Sequence, residues 1–561
     1  IAAGRDLSGD VDATGDILGA ITAGRILCGS IDAGGDIARV QAGELGDGLS
    51  GSITSNTIQA GGVIKAVLAA VDIDADITAD GNVCVVWAGR SGRGDVGGSI
   101  TSETGGIGVA CAGTWDGDLN TADFGSSIID VAIAAAGNIG DADIVDESGL
   151  SEQPEDKIIS HPEVVGVLAT GSVSGTITSD TGDIARVRTD RGDITADITA
   201  AGAEGDIAAI TAGGSINGSG DKTITAGRNI GVIEAWGHIG GEITAGGDIA
   251  FVKTTDGRAL DTDYRPEPGP DALDDSQKDN IRWNAATMAD EKPVLGRYYV
   301  APTAMDDRDI TATINAGGDI GGIVSIGGLT GNIEANGELP LLYARGDIGS
   351  ALSPPIIRAG EGDVVLAGWQ SVMVDIAAQQ VLGVLAYTDL GGALRSHFGT
   401  VDATSWGGSS EEVLLKLEGP QGVVGWFGEK IGDHSGITTV VNGFSKTGAA
   451  KIVSWRGINV AYMKSTHEDY ISVVGDLVAK LNVPGAAVFN WGDQKLMGDI
   501  GGEMTGSGVL YSYATGTVEC DQLRTTGGAV INAGEGMDGL LVCTSGDVAV
   551  SSLLDMAGKV K

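Results

Sequence analysis

Two acidic clusters carry the residue types that could hold a metal ion. Val71-Asp72-Ile73-Asp74-Ala75-Asp76-Ile77 alternates apolar and polar residues, so as a strand it places Asp72, Asp74 and Asp76 on one face. Carboxylates held that close repel, and a hard cation such as Ca2+ would relieve the cost. A solvated acidic face is the competing reading. In the second cluster, Asp116, Asp118, Asn120 and Asp123 bring oxygen ligands together within one short stretch. A plain polar loop is the alternative there.

Other chemistry is poorly supplied. The five histidines (His161, His238, His397, His434, His467) share no spacing, and no G-x-S-x-G, P-loop or H-E-x-x-H pattern occurs. No catalytic or cofactor-binding residue can be assigned. Cys28, Cys84, Cys111, Cys520 and Cys543 form neither a zinc pattern nor a dense disulfide framework. Cys84 and Cys111 lie about one three-unit rung apart, Cys520 and Cys543 somewhat less, so stacked disulfides are one reading. Buried thiols acting as small hydrophobes are the other.

The element that would position these residues is a short repeat. Gly15-Asp16-Ile17 leads to Ile21-Thr22-Ala23-Gly24, and Gly35-Asp36-Ile37 leads to Val40-Gln41-Ala42-Gly43. Gly205-Asp206-Ile207 leads to Ile210-Thr211-Ala212-Gly213, and the phrase recurs at Ile224–Gly227, Ile243–Gly246 and Ile314–Gly317. Ile-Thr-Ala alternates like a strand with one buried face. The Gly-Asp and Gly-Gly pairs supply positive φ and side-chain-to-backbone bonds for sharp corners. Short strands joined by such corners coil into stacked rungs, with isoleucines forming an interior ladder. The sequence therefore predicts an all-β, right-handed parallel β-helix. Three sides and a rung of roughly 28 residues are expected, two sides being the alternative.

Composition fits that fold. The 561 residues include 94 Gly but only 9 Trp, 9 Tyr and 6 Phe, too few aromatics for a wide core. A net charge of -42 argues against nucleic acid and anionic membranes as partners. No apolar run reaches the length of a membrane span.

The repeat reads clearly over 1–254, with a loop insertion at about 114–163 inside it. Residues 255–308 read as a lateral insertion carrying a short helix over Ala272–Met288. The β-helix resumes over 309–395. Residues 396–561 read as an irregular continuation with a fatter, Trp-containing core, or as a small C-terminal β domain. Ile1-Ala2-Ala3-Gly4 already fits the repeat phrase. That predicts either more chain before it or a stacked neighbouring subunit, since open solenoid ends are normally covered.

In repeat style the chain resembles the exported bacterial β-solenoid proteins, in the manner of filamentous-haemagglutinin-type adhesins and planctomycete surface repeat proteins. The resemblance spans roughly 1–113, 164–254 and 309–368. It implies an extracellular or cell-surface structural rod that self-associates head-to-tail or laterally into a filament, surface layer or adhesin. Cell-surface polysaccharide is a further partner class. The rival is a polysaccharide-active β-helix enzyme, lyase or glycoside hydrolase, in the manner of pectate lyases and polygalacturonases. Separately, Asp116–Asp123 is similar to the opening of calcium loops in dockerins and EF-hands. It lacks their glycine at the sixth position, where Thr121 stands, and their glutamate at the twelfth.

Overall fold

A computed structural model of the chain describes residues 1–43, 51–89, 93–113, 126–146, 148, 165–218, 220–255, 308–405, 415–418, 422–427, 439–442, 450–454, 458–464, 469–474, 477–483, 486–500, 508–552, 555–557 and 559–561. The fold is an all-β parallel β-solenoid. It divides into two compact units, Ile1–Gln277 with Asp307–Ile320, and Lys278–Asp306 with Gly321–Lys561.

In the first unit each turn of chain leaves a strand in each of two parallel sheets. Ile207–Ala212 lies in the first sheet between Ile184–Thr189 and Ile230–Ala235. Thr223–Ala226 lies in the second sheet between Ile194–Ala200 and Glu242–Ala245. Register keeps like on like. Ile198, Ile224, Ile243 and Ile314 stand above one another, as do Ala200, Ala226, Ala245 and Ala316. These isoleucines are fully buried, and burying each stabilises by about 1.5–3 kcal/mol. Alternation of Ile-Thr-Ala thus becomes an axial ladder of branched side chains with threonines outside.

The strands of each turn join into two sheets. Ser52–Ile53 and Thr57–Ala60 both pair with the single strand Ile73–Ala79, through Ile53↔Ile73 and Ile58↔Ile77. Two repeat strands lie end to end in one sheet, so two of the sides expected from sequence belong to one sheet with a bend between them. Equivalent corner positions are correspondingly 18 to 27 residues apart where the chain carries no large insertion.

Positive φ, as expected, occurs at corner glycines such as Gly43 (φ 80°) and Gly113 (φ 102°), but others have a different cause. A Cβ on Gly246 or Gly317 would lie well under 3.0 Å from the carbonyl oxygen of the glycine one rung below, and neither has a positive φ. Close stacking of backbone on backbone excludes the side chain. Left-handed φ also serves bends inside second-sheet strands, as at Gly98 with φ 85°.

An outer cluster supplements this ladder. The outward positions of Val83–Ala88 and Ile107–Ala112 carry Cys84, Val85, Trp87, Val109 and Cys111, which pack with Leu68, Leu168 and Val145. Val145 comes from a short helix, Ala142–Asp146, that lies where the repeat phrase lapses. The same lapse holds a regular strand, Ile128–Ala135, with Ile133 in register with Ile177. Of the insertion expected at about 114–163, residues 114–125, 147 and 149–163 lie outside the described residues, as does the helix expected over Ala272–Met288.

In the second unit the parallel pairing runs through Leu382↔Val401 and Val401↔Val423 and on to Ala529↔Val548. Its interior holds Leu382, Val401, Val488, Leu510 and Ile531, all fully buried. Of the tryptophans expected to fatten the core, the side chains of Trp406, Trp426 and Trp455 lie outside the described residues. Trp491 is 53 % exposed, and Trp369 lies at a surface corner stacked on Tyr387, ring centres 5.0 Å apart. Phe427, by contrast, is fully buried, so the interior of this unit does admit an aromatic ring.

Candidate functional site

The corner acids form hydrogen-bond relays that climb the first unit. Asp183 Oδ1 accepts the Asp206 N–H at 2.8 Å, Asp206 Oδ1 the Asn229 N–H at 2.8 Å, Asn229 Oδ1 the Asp248 N–H at 2.9 Å, and Asp248 Oδ1 the Asp319 N–H at 2.8 Å. A second relay passes from Asp193 to Ser215 at 2.7 Å, from Ser215 to His238 at 3.1 Å, and from His238 Nδ1 to Asp309 at 3.2 Å. In the second unit Asp363 accepts from Val381 and Asp493 from Thr517, each at 2.8 Å. Asp, Asn, Ser and His alternate because each rung needs only an acceptor for the N–H above. Glycines before some of the relay residues complete the device. A Cβ on Gly214 or Gly318 would collide with the carboxylate oxygen of Asp193 or Asp248 below.

This placement answers part of the sequence reading. Asp72 sits in a relay, its Oδ1 accepting the Asp95 N–H at 3.0 Å. Asp74 and Asp76 point outward from Ile73–Ala79 as the alternation required, and Asp76 accepts from Ser99 Oγ at 2.7 Å. Among the described residues no group of three or more His, Cys, Asp or Glu side chains is placed to hold a metal ion. Asp116, Asp118, Asn120 and Asp123 lie outside the described residues. Elsewhere on the corners Arg228 bridges Glu204, at 3.0 Å, and Asp206, and these carboxylates hold its guanidinium more firmly protonated than usual.

The disulfide reading is corrected. All five cysteines are free thiols. Register explains this, because Cys111 stands opposite Trp87 rather than Cys84, and Cys543 opposite Thr525 rather than Cys520. Burial pushes the Cys111 thiol up to about 12, with the charge of Asp190 adding to the shift. Folding therefore keeps this thiol protonated while the unfolded chain ionises near its ordinary value of 9.0, so its contribution to stability falls as pH rises from there through about 12. A water-soluble thiol reagent at mildly alkaline pH is expected to label partly exposed Cys28 and leave Cys84 and Cys111 unlabelled until the unit opens. Labelling of all three at one rate in the native protein would contradict this packing.

One surface differs in chemistry from every corner. In the second unit the outward positions of first-sheet strands Asp469–Val474, Ala486–Trp491 and Leu510–Ala514 present Tyr470, Phe489, Trp491, Tyr511 and Tyr513 to solvent. Phe489 is in register with Tyr513, and Tyr470 leans on Phe489 with ring centres 5.7 Å apart. Ser472, Ala487, Val530, Asn532, Ala549 and Ser551 fill uncharged positions between and beyond the rings, and Lys451 is in register with Tyr470 on the neighbouring strand. The second sheet of the same unit is the contrast. Lys495 there pairs outward with Glu519 at 2.8 Å and with Asp521 at 3.8 Å. The stripe was legible only as period-two aromatics, Tyr511-Ser512-Tyr513 and Phe489-Asn490-Trp491, which sequence alone leaves undecided between inside and outside.

Comparison with known proteins found no family model, no characterised protein and no solved structure that matches this chain.

Proposed function

We propose that this chain is a non-catalytic structural scaffold, exported and working outside the cell, that assembles with copies of itself. The observation carrying this reading is the corner relay. It uses the repeated polar side chains to join rung to rung through backbone N–H groups, and a rung supplied by another copy would satisfy it equally well. The abundant aspartates thereby serve stacking and solubility, and the interior ladder has no cavity for a substrate. No helix among the described residues is long and apolar enough to cross a membrane.

Light scattering and negative-stain imaging of the purified protein over a wide concentration range test the proposal. Filaments or ordered lateral arrays are expected, growing with added salt as screening weakens repulsion between chains of charge -42. A monodisperse monomer at every concentration and salt would overturn it. The rival reading, a polysaccharide-active enzyme, draws only on the aromatic stripe, and its outward positions offer no facing pair of carboxylates for glycoside cleavage.

A further inference from the structure

Self-assembly through rung edges gives the aromatic stripe no task, and exposed contiguous rings on a soluble chain mark a contact site. We propose that this first-sheet face of the second unit binds a neutral polysaccharide, with pyranose rings laid against Tyr470, Phe489, Trp491, Tyr511 and Tyr513. The proposal goes beyond the scaffold reading and does not depend on the scaffold assembling.

The chemistry of the rings points to a sugar. A pyranose presents a C–H face to an aromatic ring and hydroxyls at its rim. A face made of Tyr and Trp offers both an apolar surface and hydrogen-bonding tips. Ser472 and Asn532 continue the row of Phe489 and Tyr513 with polar groups that can reach a sugar's hydroxyls, while the row of Tyr470 and Tyr511 continues in Val530.

Register supplies the spacing. Tyr470, Ala487 and Tyr511 occupy one row on consecutive strands. Rungs are about 4.8 Å apart, so the two tyrosines stand about 9.6 Å from each other with the small Ala487 as floor between them. That notch has the dimensions of a sugar ring lying along the stack, and the neighbouring row offers Phe489 and Tyr513 at single-rung spacing.

Charge selects the class of glycan. The chain carries -42, yet Ser472, Ala487, Val530, Asn532, Ala549 and Ser551 between and beyond the rings are uncharged, Lys451 standing in register with Tyr470 on the neighbouring strand, while the other sheet displays Lys495, Glu519 and Asp521. A polyuronate or a sulfated chain would be repelled by the surrounding acid, and a second copy would bring another -42 into contact. A neutral polysaccharide meets neither cost.

Affinity electrophoresis of the full chain through gels containing soluble β-glucan, xylan, mannan or polygalacturonate tests this. Retardation by at least one neutral polysaccharide and by no polygalacturonate is expected, with little dependence on salt. Trp491→Ala and Tyr511→Ala should each weaken binding by about tenfold, because each removes one stacking platform. Both positions point to solvent, so circular dichroism and melting should match the unsubstituted chain. A control on the opposite face, Lys495→Ala, should bind normally. No retardation by any neutral polysaccharide, or binding that survives both aromatic substitutions, would overturn the proposal. So would loss of self-association in these variants with glycan binding untouched, since the face would then be a contact between copies. Light scattering on the same samples reads assembly separately, which keeps failure of the scaffold reading distinct.

Discussion

Gly318→Ala is expected to destabilise the first unit by about 2–3 kcal/mol, and removing the Asp248 carboxylate from the same chain should restore most of that loss. A Cβ at Gly318 meets Asp248 Oδ1 at a distance no real pair adopts, whereas the next nearest atoms lie at 3.3 Å. Asp248→Ala alone costs about 1 kcal/mol, the ordinary value of one hydrogen bond, since it removes the 2.8 Å acceptor of the Asp319 N–H. In the double variant the methyl group enters the space the carboxylate left. The two changes must then be strongly non-additive, with the double variant more stable than the sum of the single losses by about 2–3 kcal/mol. Amide hydrogen exchange in Ile249–Thr254 and Thr313–Ala316 reads this locally, which suits a solenoid whose rungs open by neighbourhood. Strict additivity would mean that the glycine is there for another reason.

Trp87→Ala should cost about 3–5 kcal/mol locally and expose two silent thiols. Trp87 is 7 % exposed, and its indole N–H donates to the Gly113 carbonyl at 2.8 Å. It lies on the outer face of the first sheet beside Cys111 and under Val145 of the helix Ala142–Asp146. Removing the ring takes the packing partner from both. The inner ladder of Val83, Val86 and Ala88 on the opposite face of the strand is untouched, so the solenoid itself should persist. The expected signature is fast labelling of Cys84 and Cys111 with far-UV circular dichroism unchanged. Labelling that appears only together with loss of β signal would show the cluster to be part of the ladder rather than an addition to it.

Several features of this molecule were legible because they are local. Ile-Thr-Ala carries its own alternation, so strands such as Thr223–Ala226 and Thr313–Ala316 and their buried isoleucines follow from sequence spacing alone. The acid clusters were readable as types but not as roles. Asp72 looks like a ligand beside Asp74 and Asp76, yet its partner is the N–H of Asp95, a residue 23 positions away in the chain. The cysteine spacing suggested stacking for a similar reason and misled, because rung length varies and a shift of a few residues sets Trp87, not Cys84, opposite Cys111.

By itself the sequence determined that the chain is a β-solenoid. Period-two strands and glycine corners repeat too often, and aromatics are too few, for any wide-cored alternative. Only the tertiary structure decided that the strands of a turn join into two sheets, that glycines such as Gly214 and Gly318 make room for the carboxylate beneath them, and that the rings from Tyr470 to Tyr513 face outward as a stripe. The physical reason is common to all three. Alternation fixes which residues share a face, but register between rungs, set by contacts between residues about twenty positions apart, fixes what stands above what and which face meets water.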